Sequence, residues 1–521
     1  MTGHAFVVPG RMEIMPWDCA IVPTDSDFNI EHSNWSGVLG DVHVDSLRPT
    51  RWREQQPFGR AATRDDIWFL DVTAPHTRHP DELMRDLLAT LEDIAARMPS
   101  PRRGRVKPLI ALPVLGIGAG GLRTDSGDII RRLLETTISF TRERDLDVVV
   151  VASRRSAYAA LQAQRRRTGD FAPLDGRLLS QARTLGGYAR EGRLALLIGG
   201  GVSIPAGGPS WRQLVEEMRT HAEDAAVRDG EAFGQLAALE QAELLQRELR
   251  GTLTELVADR MRQLDKPAIS HVLLAALGCR EVVTTNYDRC FEAAVSGQDG
   301  DISVMPWEEP TPDLPWLLKL HGDLEHHESI VLTRGQFVGY DARWRPAASL
   351  FQAVLLTRHL MVVGASLTDD NILRLAHETT EFRRAHGVTT RFGSVLALDE
   401  EPLKSRLWRD ELDWIGMGGE TEEEQARHLE IFLDALATHA CRDASFLLDP
   451  DFRSLLSEPE QQLADVAGSM ALRATSFEQD GWGDLVSALR ALGAREEAGT
   501  GGDGSRAAGD GKEPRQPGPQ P

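Results

Sequence analysis

Short apolar runs alternate with amphipathic stretches along most of the chain, and this pattern predicts two α/β units. Before residue 170 the runs are Phe6–Pro9, Cys19–Val22, Ile67–Val72, Leu109–Val114 and Val148–Ala152. Between residues 171 and 420 they are Leu194–Ile198, Val282–Thr284, Leu317–Leu320, Leu360–Val363 and Ser394–Leu398. Because these runs lack a polar alternate face and helical patterns separate them, they predict strands of parallel sheets, buried on both faces.

Changes in composition predict the boundaries between the units. The basic triplet Arg165–Arg167, followed by Gly169, indicates a solvated helix end and closes the first unit. We expect a first domain at residues 1–170, a second domain at 171–420 with a helical insertion at about 210–277, and a helical region at 421–497. Residues 498–521 contain no Val, Ile, Leu, Met or aromatic residue. This tail is therefore expected to be disordered.

Charge and cysteine usage exclude several classes of function. The 521 residues carry a formal net charge of −21, so a nucleic-acid partner is not expected. Four scattered cysteines, without any CxxC pair, predict buried thiols rather than disulfides or a metal site. Neither a signal peptide nor a stretch of ~18 apolar residues is present, which indicates a cytoplasmic protein without a membrane span. We expect it to form a homo-oligomer.

The strongest local signal is a glycine turn after the run that ends at Ile198. Gly199-Gly200-Gly201 follows this predicted strand, and a helix is predicted from Trp211 with Ser210 as its N-cap. Glycines let a backbone approach a pyrophosphate, and a helix N-terminus supplies free N–H groups to its oxygens. The common G-x-G-x-x-G fingerprint is not met, because Ile204 occupies the third glycine position.

The longer string resembles the first motif of sirtuin-like NAD-binding domains, G-A-G-x-S-x-x-x-G-x-P-x-[FW]-R. The matching residues are Gly199, Gly201, Ser203, Gly207, Pro209, Trp211 and Arg212. Segments 284–288 (TTNYD), 319–322 (KLHG) and 364–367 (GASL) resemble later motifs of the same family, in the same order. The resemblance covers about half of the chain and implies NAD as the ligand, held at the carboxyl ends of parallel strands.

The resemblance also implies roles for individual residues. His321 would accept a proton beside the nicotinamide ribose, and Asn286 would orient the ribose or an attacking water. The other implied NAD contacts are Gly199, Gly201, Ser203, Pro209, Trp211, Arg212, Thr285, Asp288, Gly364 and Ser366. For Asp288 and Ser366 a structural role in a turn is an open alternative.

Three departures from protein-deacylating sirtuins favour one reaction. The chain has no zinc module of two cysteine pairs, Thr285 replaces the usual Gln, and a large helical insertion is predicted. These features resemble bacterial sirtuin-like effectors that hydrolyse NAD to nicotinamide and ADP-ribose in anti-phage defence. The resemblance therefore implies an NAD hydrolase. A protein deacylase or ADP-ribosyltransferase is one alternative, and a non-catalytic NAD or ADP-ribose binding module is another.

The first domain carries a second glycine-rich turn, which resembles the phosphate loop of macro domains. Its glycines are Gly116, Gly118, Gly120 and Gly121. Arg11, Pro23 and Ser26 replace polar residues of that family's pocket, so hydrolysis of ADP-ribose is not expected here. We expect a macro-like α/β domain that binds an ADP-ribose-derived signal nucleotide, followed by a sirtuin-like Rossmann-type parallel-sheet domain and C-terminal helices. The alternative is a divergent α/β domain with an empty pocket.

Overall fold

The computed structural model describes residues 2–54, 56–73, 79–97, 101, 105–117, 126–477 and 481–495. Gly118, Gly120 and Gly121 of the predicted phosphate loop lie outside the described residues, as does the tail at 498–521. Two sheets organise the described part of the chain, one before residue 153 and one after residue 193.

The first sheet has six strands. They are β1 (Ala5–Pro9), β2 (Cys19–Thr24), β3 (Phe58–Arg60), β4 (Ile67–Asp71), β5 (Leu109–Pro113) and β6 (Asp147–Ala152). Their order is β1-β6-β5-β2-β4-β3, and only the β3–β4 pair is antiparallel. The described helices of this part are α1 (His32–Leu39), α2 (Pro80–Ala95), α3 (Ser126–Glu143) and α4 (Arg155–Thr168). All five strands predicted here are confirmed, and short β3 is the additional one.

The second sheet has seven strands, all parallel. They are β7 (Leu194–Ile198), β8 (Glu281–Thr284), β9 (Ser303–Met305), β10 (Trp316–Lys319), β11 (His359–Val363), β12 (Gly393–Ala397) and β13 (Leu412–Gly416). Their order is β13-β12-β11-β7-β8-β10-β9. The chain thus leaves β7 towards β8 on one side and returns to β11 on the other, which makes β7 the switch point of the sheet.

Helices cover this sheet and fill the segments between its strands. They are α5 (Gly176–Arg190), α6 (Trp211–Arg219), α7 (Ala225–Arg228), α8 (Ala238–Glu248), α9 (Leu253–Met261), α10 (Ile269–Ala275), α11 (Cys290–Ser296), α12 (Arg334–Val338), α13 (Tyr340–Thr357), α14 (Asp370–Ala385) and α15 (Pro402–Leu407). Three helices follow the sheet: α16 (Glu422–Ala440), α17 (Glu458–Thr475) and α18 (Gly483–Ala491). Among the described residues, no helix has the length and apolar character needed to cross a membrane.

Helix α16 joins the two α/β parts into one packed unit. It packs against α5 and α10 of the second part and against α4 and β1 of the first. Its Ile431 and Phe432 are fully buried in a core cluster that also contains Phe6 of β1 and Leu178 of α5. The two sheets therefore share a continuous apolar core through α16 rather than meeting across a wet surface.

A buried ionic cluster runs through the same contact. Asp434 of α16 accepts a hydrogen bond from Nη1 of Arg165 at 2.8 Å, and its Oδ2 lies 2.7 Å from Nε2 of His4. The expectation of a solvated helix end at residues 165–167 is wrong for Arg165, which is only 2% exposed. The physical reason is that α16 covers the end of α4 and brings a carboxylate to the guanidinium.

Candidate active site

The glycine turn after β7 and the loop after β11 pack against each other at the carboxyl edge of the sheet. The amide of Gly199 donates to the carbonyl of Val363, and the amide of Gly201 donates to the carbonyl of Gly364, each at 2.9 Å. A Cβ at Gly199 would lie 2.5 Å from the Gly364 oxygen. A Cβ at Gly200, in contrast, would meet no atom of the described residues within 4 Å, so this part of the turn faces open space.

We expect Gly364→Ala to destabilise the protein by at least about 2 kcal/mol, because its φ is +67° and a Cβ would lie 2.6 Å from the Val202 amide nitrogen. Urea unfolding measures the effect. Gly387→Ala is the matched control, since Gly387 has a φ of +76° but a Cβ there would meet no described atom within 4 Å. An equal loss in both variants would show that backbone strain, and not the contact between the two loops, sets the cost.

A cavity of about 800 Å³ opens beside these two loops. Gly201, Gly364 and Ser366 line one side, and the end of β12 with Trp414 lines another. Residues 105–107, which precede β5 of the first sheet, and helix α16 line the remaining sides. Its volume lies within the ~300–1000 Å³ typical of sites for small ligands, and its position at the switch point is where open parallel sheets bind them.

Asn286 lies next to the glycine turn, held by its side-chain nitrogen. Nδ2 donates to the carbonyl of Gly199 at 3.2 Å and to Oγ of Ser203 at 3.1 Å. Oδ1 of Asn286 is buried and has no hydrogen-bond partner among the described residues. A buried amide oxygen without a donor is unfavourable unless a ligand or water completes it. The arrangement thus leaves one acceptor available at the predicted catalytic residue.

Ser203 and Asp288 hold the side-chain amide of Asn286 in place. The Ser203 hydroxyl donates to Oδ2 of Asp288 at 2.8 Å, and the amide of Cys290 donates to Oδ1 of Asp288 at 3.0 Å. Both oxygens of Asp288 are therefore engaged within the protein, the second in an Asx-type turn at the start of α11. The predicted contacts of Asp288 and Ser203 with NAD remain predictions.

His321 follows β10, and a carboxylate that sequence reasoning missed lies beside it. Nε2 of His321 is 3.0 Å from Oδ2 of Asp369, in an electrostatic contact that lacks hydrogen-bond geometry. Asp369 is the N-cap of α14, and its Oδ1 accepts from the amides of Asn371 and Ile372. Burial raises the pKa of Asp369, but His321 and these amides outweigh burial, so its pKa lies below the ordinary value.

The backbone of residues 319–322 is fixed by a buried lysine. Nζ of Lys319 donates to the carbonyl of Asp288 at 2.7 Å, contacts Glu292 at 2.8 Å and pairs with Asp323. Burial lowers the pKa of Lys319, but these two carboxylates outweigh it and leave the pKa raised. Lys319 therefore stays charged and ties the segment that carries His321 to the segment that carries Asp288.

The other predicted contacts occupy less enclosed positions. Ser366 is exposed and its hydroxyl lies 2.7 Å from that of Thr368, while Arg212 is exposed on α6. Pro209, Trp211 and Thr285 are half-buried. Trp211 packs on the helical insertion, and its Nε1 has no partner among the described residues. The structure thus gathers the glycines, Ser203, Asn286 and Asp288, leaves Arg212 at the surface, and places Ser366 on the exposed rim of the cavity.

One buried group has ligand types that metals use, namely His271, Asp288 and Cys290. Nδ1 of His271 accepts from the amide of Ala268, so the proton of the neutral ring is on Nε2, which lies 3.4 Å from Oγ of Ser203. Burial raises the pKa of the Cys290 thiol, which keeps it protonated. Nδ1 of His271 and both carboxylate oxygens of Asp288 already form hydrogen bonds within the protein, so we assign no metal to this group.

Comparison with known proteins finds a family match within the part of the chain that forms the second sheet. Residues 280–413, from β8 to β13, match the sequence family described as SIR2-like domain. This segment of the chain is therefore similar to a SIR2-like domain. The matched segment contains Asn286, His321 and Gly364, while the glycine turn at 199–201 precedes it.

Curated relatives share about a quarter of their aligned residues with this chain. "Defense-associated sirtuin 2" of Bacillus subtilis is 24% identical over 210 residues, which are 39% of this chain and 21% of that protein. "NAD(+) hydrolase ThsA" of Bacillus cereus is 26% identical over 188 residues, 35% of this chain and 39% of that protein. The Enterococcus faecium protein of the same name is 27% identical over 198 residues, 36% and 39% of the two chains. The chain thus spans well under half the length of these relatives.

The first domain contains a larger cavity, of about 1000 Å³, at the carboxyl ends of its parallel strands. Its walls carry two basic side chains, Arg11 and Arg154, and two aromatic ones, Phe28 and Trp35, together with four carboxylates (Glu13, Asp25, Glu31 and Asp45). Gly116 of the predicted phosphate loop also lines it. Aromatic and basic groups around one cavity suit a ligand with a base and phosphates. The likeness of this domain to macro domains stays a prediction.

Proposed function

We propose that the protein hydrolyses NAD to nicotinamide and ADP-ribose, in anti-phage defence. The observation that carries the proposal is the free, buried Oδ1 of Asn286, held beside the glycine turn at the carboxyl edge of a SIR2-like sheet. The names of the relatives, which include NAD(+) hydrolases and a defense-associated sirtuin, support the same reaction.

In this proposal the pyrophosphate of NAD lies over the open turn at Gly200, with the nicotinamide ribose towards Asn286 and His321. The C1′–nitrogen bond breaks, and its electron pair moves to the nicotinamide ring, which neutralises the pyridinium charge. Oδ1 of Asn286 accepts a hydrogen bond from a ribose hydroxyl or from the attacking water. The water oxygen bonds to C1′, and His321 takes the proton, with Asp369 stabilising the imidazolium.

Incubation of the purified full chain with NAD, followed by chromatography of nicotinamide, tests this function. We expect nicotinamide and ADP-ribose in equal amounts without any peptide, and, in H₂¹⁸O, one ¹⁸O at C1′ of ADP-ribose. Consumption of NAD only when an acylated peptide is present would favour the deacylase alternative. Binding of NAD without nicotinamide release, with or without an ADP-ribose-type nucleotide, would favour a non-catalytic module.

We propose further that the first-domain cavity binds an ADP-ribose-derived nucleotide and controls NAD cleavage. A direct contact between the two domains supports this. Arg11, on the cavity wall, pairs with Asp299 at 2.6 Å, just beyond the end of α11. A Cβ at Gly10 would lie 2.5 Å from the Gly297 oxygen, and one at Gly297 would lie 2.3 Å from Ile14. The cavity wall and the end of α11 are thus in close contact.

Helix α11 connects that contact with the candidate active site. The amide of its first residue, Cys290, donates to Asp288, and its Glu292 pairs with Lys319. A ligand that draws Arg11 into the cavity would weaken the pair with Asp299 and let this short helix shift. A ligand can control the reaction only if it binds more tightly to one of two conformational states that differ in activity.

The measured quantity is the rate of nicotinamide release with ADP-ribose or one of its cyclic isomers, divided by the rate without it. We expect Asp299→Asn to change this ratio by about 3-fold, because an exposed ion pair contributes under ~1 kcal/mol. Initial rates at saturating NAD give this ratio. Asp410→Asn is the matched control, since Asp410 forms a similarly exposed pair with Arg409. An unchanged ratio in the Asp299 variant would show that the Arg11–Asp299 pair does not transmit ligand binding to the candidate active site.

We also propose that the protein is a homo-oligomer. Leu463, Val466 and Met470 on α17 are 69%, 58% and 47% exposed and follow one another at helical spacing, so they form an apolar stripe. Light scattering after size-exclusion chromatography tests self-association, with Val466→Glu expected to weaken it. A monomeric wild-type chain at ~10 µM would contradict this part, since stable assemblies bind more tightly than that.

A further inference from the structure

We propose that Ser203 and His271 are positioning residues, which together fix the Asn286 side-chain amide so that its Oδ1 faces the substrate. This inference rests on the proposed function for its kinetic readout. It assigns Ser203 an action through Asn286 in place of the predicted contact with NAD, and it gives a role to His271, which no sequence motif singled out.

The hydroxyl of Ser203 has three polar neighbours. One faces its proton, and the other two face its lone pairs. Oδ2 of Asp288 lies at 2.8 Å, Nδ2 of Asn286 at 3.1 Å and Nε2 of His271 at 3.4 Å. A serine hydroxyl has one proton to donate and two lone pairs to accept with. An ionised carboxylate can only accept, so the proton points to Asp288. Both lone pairs then face Asn286 and His271.

His271 is held in the form that donates to Ser203. The amide of Ala268, the N-cap of α10, donates to Nδ1 at 3.2 Å, so the proton of the neutral ring is on Nε2. The side chain is 1% exposed, and burial lowers its pKa to about 4 against the opposing effect of Asp288. At neutral pH the ring is therefore uncharged, and Nε2–H is its only donor.

These constraints decide which end of the Asn286 amide faces the protein. Its inner end meets two acceptors, the carbonyl of Gly199 and the lone pair of Ser203. An amide oxygen placed there would face two oxygens, whereas the NH₂ group donates to both. His271 adds to this selection because its Nε2–H keeps the Ser203 proton directed towards Asp288. The amide oxygen is left at the opposite end of the amide, where it is buried and has no partner among the described residues.

Steady-state kinetics of nicotinamide release separate this role from direct binding. For Ser203→Ala we expect kcat to fall by 10-fold or more, with KM for NAD changed less than 3-fold, because the loss acts on Asn286 and not on NAD. For His271→Leu we expect a 3- to 10-fold fall in kcat. His271→Gln, which restores an N–H donor, should recover most of that loss. Thermal unfolding of each variant shows whether it is folded.

The kinetic outcomes point in opposite directions for the two roles. A rise in KM at unchanged kcat in Ser203→Ala would mean that Ser203 contacts NAD directly. Equal falls in kcat in His271→Leu and His271→Gln would show that His271 does not act as a hydrogen-bond donor. A crystal structure of Ser203→Ala gives a readout that does not depend on activity, with the Asn286 amide expected to leave its wild-type rotamer. An unmoved amide would overturn the inference. If the wild-type chain releases no nicotinamide, the proposed function fails, and this structure still tests the positioning role.

Discussion

Replacement of His321 by alanine is expected to lower kcat for nicotinamide release by about 10²–10⁴-fold, the usual contribution of a positioned acid–base group. The ring is 7% exposed, lies 3.0 Å from the Asp369 carboxylate and is flanked edge-on by Phe337. The other two histidines between β10 and β11, His326 and His327, each have 41% of their side chain exposed. Chromatography of nicotinamide from purified wild-type and variant protein gives the two rates.

The control for this experiment is His386→Ala, since His386 is an exposed histidine just beyond α14. We expect the control to keep the wild-type rate within 2-fold. The His321 variant should still bind NAD, because the glycine turn and the adjoining cavity are unchanged. A His321 variant with wild-type kcat would mean that the histidine has only a structural role.

Replacement of Asp434 by alanine is expected to destabilise the folded protein by about 3–5 kcal/mol, the cost of removing one partner from a buried ionic cluster. Asp434 is fully buried, and without it the Arg165 guanidinium would remain in the core between the domains without its carboxylate. Burial raises the pKa of Asp434, but Arg165 and His4 outweigh burial and leave it lowered. The stabilisation is therefore present at neutral pH and is lost as the pH falls through the folded-state value.

Urea unfolding followed by circular dichroism measures this loss. Asp465→Ala is the matched control, because Asp465 pairs with Arg453 at the surface, where 60% of its side chain is exposed. Exposed ion pairs contribute ~0–1 kcal/mol to the free energy of unfolding, so the control substitution should change the urea midpoint very little. Equal effects of the two substitutions would contradict the view that α16 joins the domains through a buried ionic contact.

The sequence predicted the strands well because their apolar runs are buried on both faces. Strand β13 was missed, since Asp413 interrupts its apolar pattern, and β3 and β9 were missed because each has only three residues. The glycine turn and Asn286 could be placed at one edge of the sheet, because the carboxyl ends of parallel strands meet there.

The contacts around these residues depend on tertiary structure that no local pattern shows. Asp369 could be identified as an N-cap from the amphipathic helix that follows it, but not as the neighbour of His321. The partner of Ser203 lies 85 residues further along the chain, at Asp288. Arg165 was misassigned for the same reason, because its carboxylate partner lies 269 residues away on α16.

The most direct test of the account is a crystal structure of the full-length His321→Ala variant soaked with NAD. The account predicts the pyrophosphate over Gly200, the adenosine in the adjoining cavity, and C1′ of the nicotinamide ribose within reach of Oδ1 of Asn286. NAD bound only in the first-domain cavity, or bound here with its nicotinamide ribose away from Asn286 and position 321, would contradict it.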